Sequence, residues 1–308
     1  MYRHNLLSYL AAAFNRAIGV GAVSAIMGFA TLGAGQAFAA TPDKPFQIFD
    51  ALLFNNKPSS DDLKMTPTRV VYEAELWPSD STTLALPDSS AVRRAASAAS
   101  ASGKLTIFDI ERWPASAADT ASIGNYSQVL RWIKQQAPAL QFGFYALPPV
   151  TDYWRSQSSD SLAAWKSDND TFRFVADDSA ALFPSAYTFY EDRAAWVRFA
   201  AAQVTEARRL ANGKPVYLFL WPAYHDSNTA LAGQPLPADY WKLELDTARA
   251  LADGVVLWGG YMQQWDENAP WWLVTKDFVR KQGSIPTAAA AAAPILNVPG
   301  APGHVQIQ

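Results

Sequence analysis

After Pro42 the chain alternates short apolar runs with longer amphipathic segments, and this alternation constrains the fold more than any other feature. Seven runs have the length and the β-branched and aromatic content of strands: Phe46–Leu53, Arg69–Leu76, Lys104–Ile110, Gln141–Leu147, Leu182–Phe189, Pro215–Trp221 and Gly254–Trp258. Helical spacing of apolar residues is clearest in Glu191–Leu210 and recurs in Ser90–Ala101, Tyr126–Gln136 and Ala238–Leu251. Strands that alternate with helices indicate βα units and a parallel sheet.

Residues 41–283 number 243, close to the roughly 250 residues of a typical (β/α) barrel. The main structural alternative is a doubly wound open sheet, which usually carries a glycine-rich first turn, and no G-x-G-x-x-G motif occurs in the chain. We therefore predict an α/β fold of the TIM-like (β/α) barrel type over residues 41–283. Because only seven strand-like runs are visible, we expect the barrel to be distorted or incompletely closed.

The first forty residues have the pattern of an export signal. A basic start is followed by the uncharged stretch Ile18–Gly35 and by the small-x-small sequence Ala37-Phe38-Ala39. We predict cleavage near Ala39 and a secreted or periplasmic protein; an uncleaved membrane anchor is the alternative. No later stretch is long and apolar enough to span a bilayer, so we expect no stable membrane insertion after cleavage. Residues 284–308 form an Ala/Pro-rich, low-complexity tail.

Cysteine is absent, and His225 is the only histidine within residues 41–283. This composition excludes disulfides, thiolate nucleophiles and a multi-histidine metal site, and no G-x-S-x-G motif accompanies the histidine. We therefore predict no metal and no cofactor, and acid–base chemistry falls to carboxylates and tyrosines. Residues 41–308 contain 23 Lys/Arg and 28 Asp/Glu without a basic cluster, which argues against nucleic acid as a partner.

Two acidic residues stand at the end of the third strand-like run, where a barrel places its catalytic groups. Side chains alternate along a strand, so Asp109 and Glu111 should share one face and point into the barrel mouth. Two adjacent carboxylates do not both ionise cheaply, so we expect one to keep its proton near neutral pH. A protonated carboxyl beside an ionised one is what glycosidic cleavage requires; ordinary ion pairs at a solvated strand end are the alternative.

Other residues are weaker candidates. Glu73 and Glu75 alternate in the second run and either face the same mouth or form ion pairs. The pair Asp177-Asp178 is expected to cap a turn. Trp221 and His225 follow the sixth run and should lie at the same rim, where they are candidates for substrate contact. The 12 Trp and 12 Tyr residues pack the core for the most part, and some are expected to stack against sugar rings.

Four segments in order resemble the hyaluronidase family of glycoside hydrolases. Phe108–Pro114 reads Phe-Asp-Ile-Glu-Arg-Trp-Pro and is similar to the family's Asp-x-Glu shortly followed by Trp-Arg-Pro, with the order of Arg and Trp exchanged. Phe142–Pro148 resembles its aromatic-Gly-Tyr-Tyr-Gly-aromatic-Pro strand, and Leu182–Tyr187 its Leu-Tyr-Pro-Ser-Ile-Tyr segment. Gly254–Gly259 resembles its last strand, Gly-Ile-Val-Leu-Trp-Gly. The resemblance covers roughly residues 46–261, and that family's barrel also has fewer than eight strands.

The resemblance implies a role for each matching residue. Glu111 would be the general acid and later the base, and Asp109 would hold the N-acetyl group whose carbonyl oxygen attacks the anomeric carbon. Tyr145 and Tyr187 match tyrosines of the family's cleft, and Trp258 matches a tryptophan at its floor; as an alternative, each of the three is a core aromatic. The partner implied is a polysaccharide that contains N-acetylhexosamine.

The chain also departs from the family, because the family's disulfides and a basic groove are missing. The resemblance therefore does not extend to a polyanion such as hyaluronan. Three hypotheses follow from the sequence. The first is a retaining, substrate-assisted endoglycosidase that acts on an N-acetylated polysaccharide outside the cytoplasm. The second is a muramidase-type peptidoglycan hydrolase, and the third is a barrel that binds glycan without cleaving it.

Overall fold

The computed structural model describes residues 45–78 and 81–284. The predicted signal at residues 1–40 and the predicted tail beyond Ser284 lie outside the described residues. In the part of the chain that is described, no helix combines the length and the apolar character needed to cross a membrane.

Seven strands form within the described residues, and every pairing between them is parallel. They are β1 Gln47–Leu52, β2 Thr66–Pro67, β3 Arg69–Tyr72, β4 Thr106–Asp109, β5 Phe142–Phe144, β6 Tyr217–Leu220 and β7 Gly254–Gly259. One sheet has the order β2-β1-β7-β6, and the other has the order β3-β4-β5. Six of the seven predicted runs contain a strand, and the run Leu182–Phe189 joins the central β-structure through isolated bridges. Most strands are shorter than their runs, and β7 extends one residue further.

Two connections join these sheets into a ring. The segment 182–188 lies between β5 and β6, with single parallel bridges from Phe183 to Tyr145 and from Ser185 to Phe219. On the other side, residues 66–72 pass from a pairing with β1 to a pairing with β4. The fold is therefore a distorted (β/α) barrel with seven strand positions, as the sequence predicted.

Eight helices accompany the strands in the described part of the chain. They are α1 Glu73–Leu76, α2 Ser89–Ser102, α3 Thr120–Gln136, α4 Leu162–Thr171, α5 Arg173–Asp178, α6 Arg193–Ala211, α7 Ala238–Leu251 and α8 Pro270–Ser284. The starts of α2, α3 and α6 are fixed by Asp88, Asp119 and Asp192, whose side chains each accept a backbone N–H of the first turn. These caps explain why α3 begins at Thr120, six residues before the predicted start.

Alternation along β4 separates the two layers of the core. Ile107 packs inside the barrel with residues from the other strands, whereas Phe108 and Ile110 pack outward against α2 and α3. Phe108 is fully buried, and burial of a side chain of this size contributes about 1.5–3 kcal/mol. The predicted faces of this strand are therefore confirmed, and Asp109 follows Ile107 on the inner face.

Two predicted strands differ from the observed structure. The run Arg69–Leu76 leaves the sheet after Tyr72, because Glu73–Leu76 coils into a single helical turn. The run Leu182–Phe189 makes only isolated bridges, since Pro184 has no N–H to contribute to a ladder. Neighbouring β5 needs a glycine beside this segment: a Cβ at Gly143 would lie 2.5 Å from the Ala181 carbonyl oxygen.

The expected turn cap at Asp177-Asp178 is also wrong. Both residues belong to α5, which ends at Asp178. The Asp178 carboxylate forms an ion pair with Lys134 of α3, so it links two helices on the outside of the barrel.

Candidate active site

The two candidate carboxyls lie at the carboxyl end of β4. Asp109 is the last residue of the strand and Glu111 stands two residues further on. Asp109 is half-buried, and its Oδ1 atom is buried without a hydrogen-bond partner among the described residues. Glu111 is exposed. One carboxyl thus lies within the barrel mouth and the other is open to a ligand.

Both carboxyls hold protons more strongly than usual. Burial raises the pKa of Asp109 well above its ordinary value, and the negative charges of Glu111 and Glu73 raise it further. The pKa of Glu111 rises to about 7, first because the surrounding protein removes water from the carboxyl and second because of the charge of Glu73. Glu111 is nonetheless accessible, so it combines a retained proton with an open approach. The pair titrates together, and near neutral pH it holds at least one proton.

A third carboxylate fixes the loop that carries Glu111. Oε1 of Glu73 accepts the backbone N–H groups of Glu111 and Arg112 at 2.8 and 2.7 Å. Its Oε2 accepts Nε and Nη2 of Arg112, both at 3.0 Å. The guanidinium lies 3.8 Å from the centre of the Trp77 ring. Glu73 therefore holds the loop in place and adds negative charge beside the Glu111 carboxyl.

Tyr145 and Tyr187 lie beside the carboxyls. The Tyr145 hydroxyl donates to the Ser185 hydroxyl at 3.0 Å, and the two tyrosine rings are 5.8 Å apart. Burial raises the pKa of both tyrosines well above the ordinary value, and the charges of Asp109 and Glu111 raise it further. Both phenols therefore keep their protons and are hydrogen-bond donors at every working pH.

The remaining predicted residues form an aromatic wall around Tyr187. The Trp258 ring stacks on Tyr187 at 5.7 Å, and Trp221 meets Tyr187 edge-on at 5.7 Å and Trp258 at 5.3 Å. His225 stacks against Tyr187 at 6.1 Å. Burial lowers the pKa of His225 below its ordinary value, so the imidazole is neutral at neutral pH. The wall offers flat apolar surfaces next to the carboxyls.

Sequence reasoning missed Tyr72, which also reaches this cluster. Its hydroxyl accepts the indole N–H of Trp258 at 3.0 Å. Burial raises the pKa of Tyr72 to about 12, and the charge of Asp109 contributes to the rise. Tyr72 is the last residue of β3, directly opposite Asp109 in the β3–β4 ladder. The predicted run continued to Leu76, so nothing in the sequence indicated that a strand ends at Tyr72.

All seven residues singled out from the sequence thus gather at one end of the barrel: Asp109, Glu111, Tyr145, Tyr187, Trp221, His225 and Trp258. A cavity of about 390 Å³ lies at the other end, where its lining includes Lys104, Gln141 and Pro215, which precede β4, β5 and β6. That cavity has no part in the cluster.

The fold and the cluster together define a glycoside hydrolase: a (β/α) barrel with paired, partly protonated carboxyls at a strand end and aromatic rings beside them. Comparisons with known proteins identify the family of glycoside hydrolases to which the chain belongs. The chain belongs to the hyaluronidase family, whose family model matches residues 94–280. A comparison with curated protein sequences gave no match.

One solved structure shows the same fold, and two others are more distantly similar. Bee venom hyaluronidase, in a complex with a hyaluronic acid tetramer, is 14% identical, with a TM-score of 0.54 over 80% of this chain and 98% of that chain. A fungal β-1,4-galactanase is 13% identical over 78% of this chain and 88% of that chain, with a TM-score of 0.43. A double mutant of the Cellulomonas fimi endo-β-1,4-mannanase is 12% identical over 74% and 58%, with a TM-score of 0.47. Of these three, the bee venom enzyme is similar enough to bear on the fold.

Proposed function

We propose that this glycoside hydrolase cleaves an N-acetylhexosamine-containing polysaccharide with retention of configuration, by a substrate-assisted mechanism. Glu111 is the general acid and base, and Asp109 orients the acetamido group of the substrate. The observation that carries the proposal is the contrast between the two carboxyls. Glu111 is accessible with a pKa of about 7, while Asp109 has a buried oxygen without a partner among the described residues.

The first step breaks the glycosidic bond. Protonated Glu111 gives its proton to the glycosidic oxygen, and the acetamido carbonyl oxygen bonds to the anomeric carbon as the leaving group departs. Asp109 accepts the acetamido N–H through its unpartnered oxygen, which stabilises the ionised form of Asp109 against its costly burial. In the second step Glu111, now ionised, takes a proton from water, and the oxygen of that water replaces the acetamido oxygen.

In this proposal the two tyrosines and the aromatic wall bind the substrate. The Tyr187 hydroxyl keeps its proton, so it donates to the acetamido oxygen, while Tyr145, whose hydroxyl donates to Ser185, lies beside it. The rings of Trp221 and Trp258 offer flat surfaces for the apolar faces of sugar rings. His225 contacts the substrate at the outer side of Tyr187.

Charge near the cluster favours a substrate with few acidic groups. Arg112, which follows Glu111 in the chain, is held by Glu73. His225 is neutral at neutral pH because burial lowers its pKa. The Arg112 charge is thus already neutralised and His225 carries none, which supports an N-acetylated glycan rather than a polyanion as the substrate.

The test pairs a variant with a substrate screen. Glu111→Gln should lower kcat by at least about 10²-fold while circular dichroism shows an unchanged fold; Glu75→Gln, which removes a nearby carboxylate paired with Arg69, is the control. Product sizes from soluble N-acetylated polysaccharides and from purified cell wall identify the glycan. Full activity of Glu111→Gln would refute the assignment of the acid, and cleavage of cell wall alone would favour a muramidase-type activity.

We also propose that residues 1–40 direct export and are removed. The basic start, the uncharged stretch and the sequence Ala37-Phe38-Ala39 support this proposal. N-terminal sequencing of the protein recovered outside the cytoplasm should begin close to residue 40. Recovery of a chain that still carries Met1 in the membrane fraction would instead identify the segment as an anchor.

A further inference from the structure

A continuous series of ring contacts leads from the candidate active site to the protein surface. Tyr187 stacks on His225, and the His225 ring lies 4.8 Å from Phe189. Phe189 contacts Tyr190 at 6.5 Å, and Tyr190 contacts Trp154 at 5.6 Å. The aromatic surface of the cleft therefore does not end at the wall around Tyr187 but extends over the loops that follow β5 and the segment 182–188.

The outer end of this series is exposed to solvent. Trp154 is 60% exposed and Tyr190 is 40% exposed, and both rings rest on Tyr153, whose centroid is 5.0 Å from each. Tyr153 itself is buried and packs on Phe199. A solvent-exposed tryptophan next to an exposed tyrosine, at the rim of a binding cleft, is typical of an interaction site.

Hydrogen bonds hold this exposed pair in a defined place. Asp152 accepts the backbone N–H groups of Trp154 and Arg155 at 3.1 and 2.8 Å. The Arg155 guanidinium donates at 2.7 Å to both Asp152 and the buried Asp168. The Tyr190 carbonyl oxygen accepts the Tyr240 hydroxyl at 3.1 Å. The loops are thus ordered before any ligand arrives, which lowers the entropic cost of binding.

We propose that Trp154 and Tyr190 form an outer subsite, which stacks a further sugar ring of the polysaccharide beyond the ring that contacts Tyr187. This inference rests on the proposed function. Its support is the continuity of the aromatic surface with the cleft, since one extended chain of sugar rings can follow the whole series. The consequence is selection by length: the enzyme binds long chains more tightly than short oligosaccharides and cleaves within chains.

The test measures the two kinetic constants on substrates of different length, with the full chain. Trp154→Ala should raise KM for the long polysaccharide about three- to tenfold while kcat stays constant, and kcat/KM for the shortest cleaved oligosaccharide should not change. Trp154→Phe should restore most of the affinity. Leu273→Ala removes a side chain that is 48% exposed on α8 and serves as the control with wild-type kinetics. If Trp154→Ala is unstable, Tyr190→Ala tests the same subsite by the same KM measurement.

The outcomes separate this inference from the function on which it rests. Wild-type cleavage with an unchanged KM for the long substrate in both Trp154→Ala and Tyr190→Ala would overturn the outer subsite and leave the hydrolase assignment intact. An equal loss on long and short substrates would also overturn it, because the effect would then be structural. If the wild-type protein neither binds nor cleaves any N-acetylated glycan, both proposals fail.

Discussion

The charge of Glu73 is expected to shift the pH at which the enzyme loses activity. Glu73 accepts the backbone N–H of Glu111; burial raises the pKa of Glu111 to about 7, and the charge of Glu73 adds to that rise. Glu73→Gln keeps an oxygen that can accept the backbone N–H groups but removes the charge. Of the other groups that act on the pair, Asp109, Tyr145 and Tyr187 are unchanged by the substitution.

The size of the effect follows from the geometry. Glu73 lies 2.8 Å from the Glu111 nitrogen, and two carboxylates separated by about 7 Å, the reach of one glutamate side chain, repel by about 1–2 kcal/mol at an effective dielectric constant of about 20 to 40. Water at the exposed Glu111 moves the value to the lower end, or roughly one pKa unit. Loss of Glu73 also leaves the Arg112 charge without its carboxylate, and that charge shifts the pKa of Glu111 in the same direction.

The assay is the pH profile of kcat/KM. A general acid works while it is protonated, so wild-type activity should fall as the pH rises through about 7. In Glu73→Gln the fall should come at a pH about one unit lower, which makes the variant roughly fivefold slower at pH 7 and leaves it near the wild-type rate at pH 5. Glu75→Gln lies on the same helical turn and should keep the wild-type profile.

The result that refutes the reasoning is a uniform loss of activity at all pH values. Such a loss in Glu73→Gln would mean that the carboxylate only holds the loop, and that its charge does not act on Glu111. A profile that moves to higher pH would contradict the sign of the interaction. Thermal unfolding of both variants checks that the loop change does not unfold the barrel.

Three further predictions test separate parts of the structure. Asp109→Asn keeps an acceptor but removes the charge, and kcat should fall about 10²-fold without loss of the fold, measured by steady-state kinetics and circular dichroism. A Cβ at Gly259 would lie 2.5 Å from Cδ1 of Trp221, so Gly259→Ala should displace that indole and raise KM several-fold. Glu244 is buried, and burial raises its pKa well above the ordinary value. Its contribution to stability is therefore full at low pH and is lost as the pH rises above about 4.5, and Glu244→Gln should unfold at a higher temperature than wild type at pH 8.

Each of these has a matched control and a contrary result. Gly124→Ala introduces a methyl group with no atom within 4 Å and should leave KM unchanged; an equal KM for Gly259→Ala would show that Trp221 does not contribute to binding. Unaltered kcat in Asp109→Asn would remove Asp109 from the mechanism. For Glu244→Gln, a difference in melting temperature from wild type that stays constant between pH 5 and pH 8 would contradict the linkage.

Local patterns predicted the parts of the fold that depend on local physics. The alternation along Thr106–Asp109 identified the inward face, because a strand that has helices outside and a barrel inside buries both faces with different partners. The span of α7, Ala238–Leu251, also agrees with its apolar spacing. Asp109, Glu111, Trp221 and His225 came from the position of strand ends along the chain, whereas Tyr145, Tyr187 and Trp258 came from the family resemblance.

Contacts between segments far apart in sequence were not predictable in this way. Glu73 was expected on a strand, and its bond to the nitrogen of Glu111 spans 38 residues. The bond between Trp258 and Tyr72 spans 186 residues. A single sequence contains no periodicity at such separations, so Tyr72 was not included in the predicted site. For the same reason the sequence could not decide whether Glu73 faces the barrel mouth or forms an ion pair.

Glu73 holds the loop that carries Glu111 and places a negative charge beside its carboxyl. These two effects are physically inseparable, because one ionised carboxylate produces both. To hold the loop, the carboxylate must accept two backbone N–H groups and the Arg112 guanidinium, and an ionised acceptor makes these bonds strongest. The same negative charge then lies beside Glu111 and opposes its ionisation. A neutral clamp would position Glu111 but leave its pKa nearer the ordinary value, so the acid would lose its proton below neutral pH. For Glu73 the ion pair and the effect on Glu111 are therefore not alternatives, because one carboxylate makes the pair and raises the pKa of Glu111.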